Sequence, residues 1–239
     1  MKEIILPDGR QRRLVFYLAM EEWVCEKLGS GFFLWQVPPT VIFGRNQDIE
    51  AEVNIDYCRN NGIEFYRRRS GGGCVFSDYG NVMISYVCPS SNVEQAFDDY
   101  LSKLCNALSA AGMPAVRSGH NDVLVDGKKV SGNAFFAHAG RGIVHGTLLY
   151  DADFSALEKA ITPSVEKLSK HGVQSVRQRV ANLKDLGLSM DIESLMHFLI
   201  EFFTDSSLVL SASDVAEIEE IEKGYLDPAF LFGKEMGNK

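Results

Sequence analysis

Several features are scarce in this 239-residue sequence, and each scarcity excludes a class of protein. Met1 to Pro7 contain no apolar signal core, and no run approaches the length of a membrane span. The five cysteines are an odd number without CxxC spacing, so neither a disulfide framework nor a zinc site is predicted. With 24 Lys and Arg against 32 Asp and Glu, the net charge of -8 argues against nucleic-acid binding. We therefore expect a cytoplasmic protein that uses neither membrane nor nucleic acid, with any anion site local.

The residues that are present predict interleaved helices and strands without a repeat or a linker. Hydrophobic residues make up 46% of the chain, enough for one sizeable core. Periodicity and capping signals predict helices over 14–28, from Ser91 to a stop at Gly112, over 154–161, over 192–203, and over 212–223 with an end at Gly224. Strands are predicted over 32–35, 40–44, 63–66, 81–87 and 143–150, with a hairpin of 123–125 and 128–132 closed at Asp126-Gly127.

The first predicted helix carries three acidic residues in different positions. Glu22 and Glu26 form its polar edge, whereas Glu21 projects onto the apolar side. Glu21 is either a positioned carboxylate or a side chain that reaches solvent at the rim, and the second reading is favoured.

The segment with the clearest chemistry runs from Arg67 through Gly73 and continues as Cys74-Val75-Phe76. Fixed positive charge beside backbone without a Cβ suits an anionic nucleotide or an acyl phosphate, although an Arg run is more often solvated surface. The glycines join two predicted strands, and GxxxxGK[ST] is absent, so a Walker or Rossmann loop is not predicted. A different phosphate cradle is needed.

Three dispersed elements offer the groups for such a site. They are Arg68 with its glycines, Lys129 on the predicted hairpin, and His145 on a strand interrupted by Gly146. A lysine provides a compact cation for a carboxylate or phosphate, and an arginine provides a planar fork, so the combination suits acyl phosphate chemistry. Considered singly, Lys129 is more often a surface lysine and His145 a satisfied sheet histidine.

Four ordered motifs make the chain resemble the lipoate-protein ligase family over about residues 14–233. They are Arg67-Arg68-x-Ser70-Gly71-Gly72-Gly73-x-Val75-Phe76-x-Asp78-x-Gly80-Asn81, Asn121-Asp122, Lys129-Val130-Ser131-Gly132-Asn133-Ala134, and His145-Gly146-Thr147-Leu148-Leu149. The resemblance implies an α+β fold in which a mixed β-sheet with flanking helices carries the site, as in biotin ligases and class II synthetases. It also implies a single catalytic domain over residues 1–239, without the C-terminal accessory domain that many members carry.

The resemblance implies a two-step reaction. Lipoate and ATP with Mg²⁺ give lipoyl-AMP, and a lysine of an apo lipoyl domain of a 2-oxoacid dehydrogenase complex or of glycine-cleavage H protein then takes the lipoyl group. Without the accessory domain, the expectation is either a separate small accessory subunit for adenylation or a chain that mainly transfers from lipoyl-AMP. Whether lipoate or octanoate is preferred stays open, because the length of an acyl tunnel depends on packing.

Carried onto this sequence, the resemblance assigns roles to individual residues. Lys129 is the expected catalytic residue, in contact with the lipoate carboxyl and the α-phosphate. The ATP and lipoyl-AMP site is expected to comprise Arg68, Gly73, Cys74, Val75, Phe76, Asn81, Asp122 and Lys129, and the lipoate site Arg68, Gly73, Lys129 and His145. Ser175, Arg177 and Arg179 lie in a loop expected to fold over the adenylate. No fixed protein metal site is expected, and Mg²⁺ would arrive with ATP near Asp122.

Two alternatives remain at this point. An octanoyl or lipoyl transferase with an acyl-carrier donor needs an activated cysteine, but no cysteine follows Cys105, and neither Cys74 nor Cys88 stands at a known nucleophile position. A non-catalytic carrier-binding paralogue is disfavoured because Lys129, Arg68 and Asp122 are all present.

Overall fold

A computed structural model describes residues 1–162 and 179–233, and it interleaves strands and helices along the chain. The helices in these ranges are α1 (Leu14–Lys27), α2 (Ile49–Glu52), α3 (Ile55–Asn60), α4 (Val93–Ala110), α5 (Phe154–Ala160), α6 (Ile192–Phe203), α7 (Ala212–Leu226) and α8 (Pro228–Phe232). The strands are β1 (Lys2–Ile5), β2 (Gly31–Trp35), β3 (Thr40–Phe43), β4 (Glu64–Arg67), β5 (Cys74–Ser77), β6 (Asn81–Cys88), β7 (Ala115–Ser118), β8 (Asp122–Val125), β9 (Lys128–His138), β10 (Arg141–Leu149) and β11 (Ser206–Val209). No helix in the described ranges is long and apolar enough to cross a bilayer.

Two sheets organise these strands. The larger has the order β11-β1-β2-β6-β10-β9-β8-β7, and the smaller has the order β4-β3-β5. β1 pairs in parallel with β11 and β2, and β3 in parallel with β4, while the remaining pairs are antiparallel. The predicted mixed sheet with flanking helices is therefore confirmed.

Helices cover the larger sheet with separate apolar clusters. One cluster joins α4 and α6 to inward-facing residues of the sheet, and another joins α1 and α7 to strands that include β2 and β10. In α4, the side chain of Asn92 accepts from the backbone N of Gln95 and starts the helix, while Tyr100 and Leu104 are fully buried. The predicted helix is confirmed, with its cap at Asn92.

Helix α1 is buried nearly all round because α7 packs against it. The Tyr225 hydroxyl of α7 donates a hydrogen bond to Glu22, and Glu22 is 3% exposed. Glu22 was predicted on the polar edge of this helix, and the structure buries it among polar partners, because a helix distant in sequence covers that edge. Glu26, on the same polar edge at the end of the helix, is exposed.

The end of α7 also differs from the prediction. The helix passes through Gly224 and ends at Leu226, directly before Asp227-Pro228. The residue before a proline avoids the helical region, so Pro228 provides the stop signal that Gly224 does not. A Cβ at Gly224 would lie 3.2 Å from Nη2 of Arg69, so the absence of a side chain there makes room for that guanidinium.

The predicted hairpin is confirmed at the place that matters for the site. β8 and β9 pair antiparallel across Asp126 and Gly127, whose φ angles are 49° and 73°. Positive φ at both central residues is the geometry that the Asp-Gly dipeptide favours in tight hairpins. The turn places Lys129 one residue inside β9.

Candidate functional site

The glycine loop, residues 68–73 between β4 and β5, is held together by Arg68. Its guanidinium donates to Oγ of Ser70 at 2.9 Å and to the carbonyl oxygens of Gly71 and Gly73 at 2.8 Å each. The side chain is 5% exposed, and burial lowers the pKa of Arg68 to about 10. Arg68, which was expected to bind the ligand together with this loop, therefore also stabilises the loop backbone.

The loop backbone is shaped by glycine at two positions. Gly72 has φ of 92°, and a Cβ at Gly44 would lie 2.1 Å from the Gly72 carbonyl oxygen. The first value is one that residues with a Cβ rarely adopt, and the second distance forbids any side chain. The close contact between the glycine loop and Gly44, the residue that follows β3, is therefore possible only with glycine at position 44.

The two neighbouring arginines point away from Arg68. Arg67 donates to the carbonyl oxygens of Arg45 and Gln47 at 2.8 Å each and to that of Leu231 at 3.1 Å. Arg69 pairs with Glu22 at 2.5 Å and lies over the Tyr225 ring at 4.8 Å. Alternation at the end of β4 thus sends one arginine into the site and two into packing.

Lys129 reaches the same region from β9. Its Nζ lies 2.7 Å from Oδ1 of Asp122, while the other carboxylate oxygen of Asp122 pairs with Arg179. Burial lowers the pKa of Lys129, with Asp122 acting in the opposite direction. Backbone hydrogen bonds from Lys129 N to Arg179 O and from Ala181 N to Lys129 O, at 2.9 and 3.0 Å, tie this strand to the segment after residue 178.

His145 projects from β10 and contacts two buried groups. Its Nε2 lies 2.7 Å from Oγ of Ser70, and its Nδ1 lies 2.8 Å from Oε2 of Glu21. Glu21 is 2% exposed, so the favoured reading of a rim side chain is wrong and the positioned carboxylate is correct. The signal was present in the sequence as a charge on an apolar helix face, but its partner lies 124 residues away.

These groups surround a cavity of about 350 Å³, within the range of small-molecule sites. Polar side chains on its wall come from Arg68, Lys129, His145, Arg179, Glu52, Asn121, Asn133 and Thr147. Apolar ones come from Leu18, Trp35, Ile42, Val75, Phe76, Met83, Leu149, Leu157, Ile161 and Val180, with Gly73 and Cys74 also on the wall. The cavity therefore combines cationic groups with a largely aliphatic surface.

Asn81 and Asp122 do not line this cavity. Asn81 is fully buried and donates to Oδ1 of Asp78 at 2.9 Å, while Oδ2 of Asp78 accepts from Asp153 N. Asp122 instead forms ion pairs with Lys129 and Arg179, which do line the cavity. Ser175 and Arg177 lie outside the described residues.

The described residues contain no cluster of three or more side chains suited to a metal ion. Both oxygens of Asp122 are engaged by cations, so a metal ion would have to displace Lys129 or Arg179 to bind there. The donor set near Asp122 therefore does not by itself form a magnesium site.

Comparison with known proteins identifies the family. A family model described as the lipoyl protein ligase A/B catalytic domain matches residues 14–204. A probable lipoate-protein ligase A of Mycoplasma pneumoniae is 33% identical over 216 residues, 87% of this chain and 64% of that protein. The corresponding protein of Mycoplasma genitalium is 34% identical over 231 residues, 92% of this chain and 69% of that protein. The chain thus spans about two thirds of the length of these curated relatives.

The fold is similar to that of a solved lipoate protein ligase structure. A bipartite lipoate protein ligase of Thermoplasma acidophilum, described with its E2 lipoyl domain, superposes with a TM-score of 0.84. The two chains are 25% identical, and the match covers 98% of this chain and 97% of the archaeal one.

Proposed function

The chain belongs to the lipoyl protein ligase A/B catalytic family, and we propose that it acts as a lipoate-protein ligase. In this proposal it activates lipoate with ATP to lipoyl-AMP and transfers the lipoyl group to a lysine of a lipoyl domain or of glycine-cleavage H protein. The expected class is therefore an ATP-dependent, AMP-forming ligase that makes an amide bond.

The observation that carries the proposal is the pairing of cations with an aliphatic cavity. Two cations from separate segments, Arg68 and Lys129, line the same cavity as the aliphatic side chains, together with the imidazole of His145. Lipoate has the matching character, an anionic carboxylate on an apolar chain, and ATP adds a second anion. Two anions repel each other in water, so a shared ammonium group is a direct means of bringing them together.

In the first step, a carboxylate oxygen of lipoate attacks the α-phosphorus of ATP, and the bond to pyrophosphate breaks. One proton of the Lys129 ammonium group is directed to Asp122, which leaves two for the carboxylate and the α-phosphate. Asp122 therefore fixes the direction of the ammonium group and opposes the lowering of its pKa by burial.

In the second step, the neutral amine of the acceptor lysine attacks the carbonyl carbon of lipoyl-AMP. An amide bond forms, the bond to AMP breaks, and the proton that the amine loses passes to solvent. Lys129 stabilises the negative charge that develops on the carbonyl oxygen, so no covalent enzyme intermediate is required.

The remaining residues are proposed to shape and close the site. The backbone of Gly73, Cys74, Val75 and Phe76 lines the acyl and nucleotide cavity, with Arg68 holding the loop that presents it. His145 contributes to the lipoate site, and Arg179 contributes a cation near the phosphates. Asn81 is proposed to act through the turn that it forms with Asp78. Magnesium is proposed only as an ion that accompanies ATP, and no step is assigned to it.

Partners are proposed at the level of protein class. The acceptor is an apo lipoyl domain or an H protein, and adenylation is assisted by a further domain or a separate subunit. This second point is supported by the greater length of the curated relatives and by the bipartite organisation of the archaeal ligase.

The test is a two-arm assay on the purified protein. One arm supplies lipoate, ATP, Mg²⁺ and an apo lipoyl domain, and the other supplies lipoyl-AMP and the same acceptor, with the acceptor weighed by mass spectrometry. A mass gain in both arms supports an autonomous ligase, and a gain with lipoyl-AMP alone supports a transferase that needs a partner. No gain in either arm, also after addition of an accessory subunit, would refute the proposal.

The position of Cys74 is compatible with a second function, an acyl transferase that forms a thioester with the enzyme. Cys74 lines the cavity, whereas Cys25, Cys58, Cys88 and Cys105 are buried thiols whose pKa is raised by burial. A transferase that uses an enzyme thioester would have to use Cys74. Octanoylation of the acceptor from an acyl-carrier donor, abolished in Cys74→Ser, would support that alternative.

A further inference from the structure

The carboxylate of Glu21 is buried beneath the cavity with both oxygens engaged, and nothing in the proposed reaction uses it. Oε1 accepts from the hydroxyl of Ser85 at 2.6 Å, and Oε2 lies 2.8 Å from Nδ1 of His145. Glu21 is 2% exposed and does not line the cavity. A buried carboxylate is expensive to desolvate, so it is stable at this position only because both of its oxygens are hydrogen-bonded.

The hydrogen-bond donors in this network all run in one direction. Trp35 Nε1 donates to Oγ of Ser85 at 2.9 Å, and Ser85 then donates to Glu21. An ionised carboxylate only accepts, so Nδ1 of His145 must carry a proton. Nε2 of a neutral His145 is then the acceptor for Ser70.

The same direction holds on the other side of the imidazole. Nε of Arg68 donates to Oγ of Ser70 at 2.9 Å, and the Ser70 hydroxyl donates its proton to the unprotonated Nε2 of a neutral His145 at 2.7 Å. An unbroken relay therefore runs from Arg68 through Ser70 and His145 to Glu21. The tautomer of His145, with the proton on Nδ1, is assigned from these donors and acceptors.

The order serine, histidine, carboxylate is also that of a hydrolase triad, but the exposure argues for a different role. Ser70 is 2% exposed and does not line the cavity, so its oxygen is not presented to a substrate carbonyl. Arg68 and His145 do line the cavity. The relay therefore acts on the two residues that face the ligand.

We propose that Glu21 is a positioning residue for the lipoate site. By fixing the tautomer and the ring orientation of His145, it holds Ser70 and, through Ser70, the guanidinium that binds the carbonyl oxygens of Gly71 and Gly73. The kinetic effect of this role rests on the proposed function, whereas the effect on the imidazole does not.

The test compares Glu21→Gln and Glu21→Leu with Glu22→Gln. Glu22 is a matched control because it is equally buried on the same helix but contacts Arg69 and Tyr225, away from the cavity. Imidazole ¹⁵N shifts report the tautomer of His145, assigned by the signal that disappears in His145→Asn. Lipoate binding by calorimetry, and KM and kcat with a supplied acceptor, report the site.

We expect both Glu21 variants to weaken or lose the Nδ1–H signature of His145. In a glutamine of the same geometry an NH2 group replaces one of the two carboxylate oxygens, so it cannot accept from the imidazole and Ser85 at both observed positions, and a leucine accepts from neither. We expect lipoate affinity to fall, and KM to rise, by about tenfold, the loss typical of one hydrogen bond to a charged group, with a smaller change in kcat. Glu22→Gln is expected to leave the tautomer and KM within about twofold of the parent values.

Unchanged ¹⁵N shifts and unchanged lipoate affinity in both Glu21 variants would overturn the proposal. An equal effect of Glu22→Gln would also overturn it, because the cause would then be general loosening of α1. If the parent protein neither binds lipoate nor modifies an acceptor, the proposed function fails. The ¹⁵N shifts of the ligand-free protein still decide whether Glu21 sets the imidazole.

Discussion

Replacement of Lys129 by methionine is expected to abolish most activity without unfolding the protein. Two of the three ammonium protons are available for the two substrates, and each hydrogen bond to a charged group contributes about 1.5–3 kcal/mol. Loss of one such donor at a charge that develops in the transition state lowers kcat by roughly 100- to 1,000-fold. We expect this range for adenylate formation and a comparable loss for transfer from lipoyl-AMP.

The stability of this variant is expected to change little. Burial disfavours the charged form of Lys129, and Asp122 keeps Arg179 as a partner after the substitution, so the free energy of unfolding should stay within about 1 kcal/mol. The assays are single-turnover formation of lipoyl-AMP, transfer from supplied lipoyl-AMP, and urea denaturation. Lys128→Met, at the exposed neighbouring position on β9, is the matched control and should keep full activity. Full activity of Lys129→Met in both steps would refute the role assigned to this residue.

The remaining predictions concern pH, loop geometry, a buried hydroxyl and a thiol. Because burial lowers the pKa of Lys129, activity should fall at a lower alkaline pH than it would with an ordinary lysine. Over the same pH range the free energy of unfolding should rise with pH, since the unfolded chain binds more protons than the folded one. A pH–rate profile identical to that of a site with an unperturbed lysine would contradict this. Gly44→Ala places a Cβ 2.1 Å from the Gly72 carbonyl oxygen and should lower both the melting temperature and the lipoate affinity. The control Gly71→Ala places a Cβ with nothing within 4 Å and should have little effect. Equal melting temperatures of the two variants would count against the close contact. The Tyr100 hydroxyl is buried without a partner among the described residues, so Tyr100→Phe should raise the free energy of unfolding by about 1 kcal/mol in urea denaturation, and a clear loss would mean that the hydroxyl is satisfied. Cys74→Ser should keep ligation from lipoate and ATP within about threefold, because the proposed mechanism needs no thiol, and loss of all activity would favour the thioester alternative.

The sequence alone determined the local structure where short-range signals agree with one another. The helix over 192–203 has the predicted bounds, since its apolar spacing and its Asp191 cap act within a few residues. The Asp126-Gly127 turn is equally local, because those two residues tolerate positive φ. Ordered motifs around Arg68, Lys129 and His145 were sufficient to predict the family, which the comparisons confirm. The roles of those residues remain predictions.

Tertiary structure decided which side chain faces which partner. The family motif singled out Arg68 among neighbouring arginines 67, 68 and 69, but only the folded chain shows that Arg68 lines the cavity while Arg67 and Arg69 bind groups elsewhere. A rim position was favoured over a positioned carboxylate for Glu21, and Glu22 was placed on the polar edge of α1, yet both are buried, because α7 and β10 supply partners from distant parts of the chain. A local pattern fixes backbone angles, whereas burial and hydrogen bonding depend on contacts across more than a hundred residues, and these form only when the chain folds.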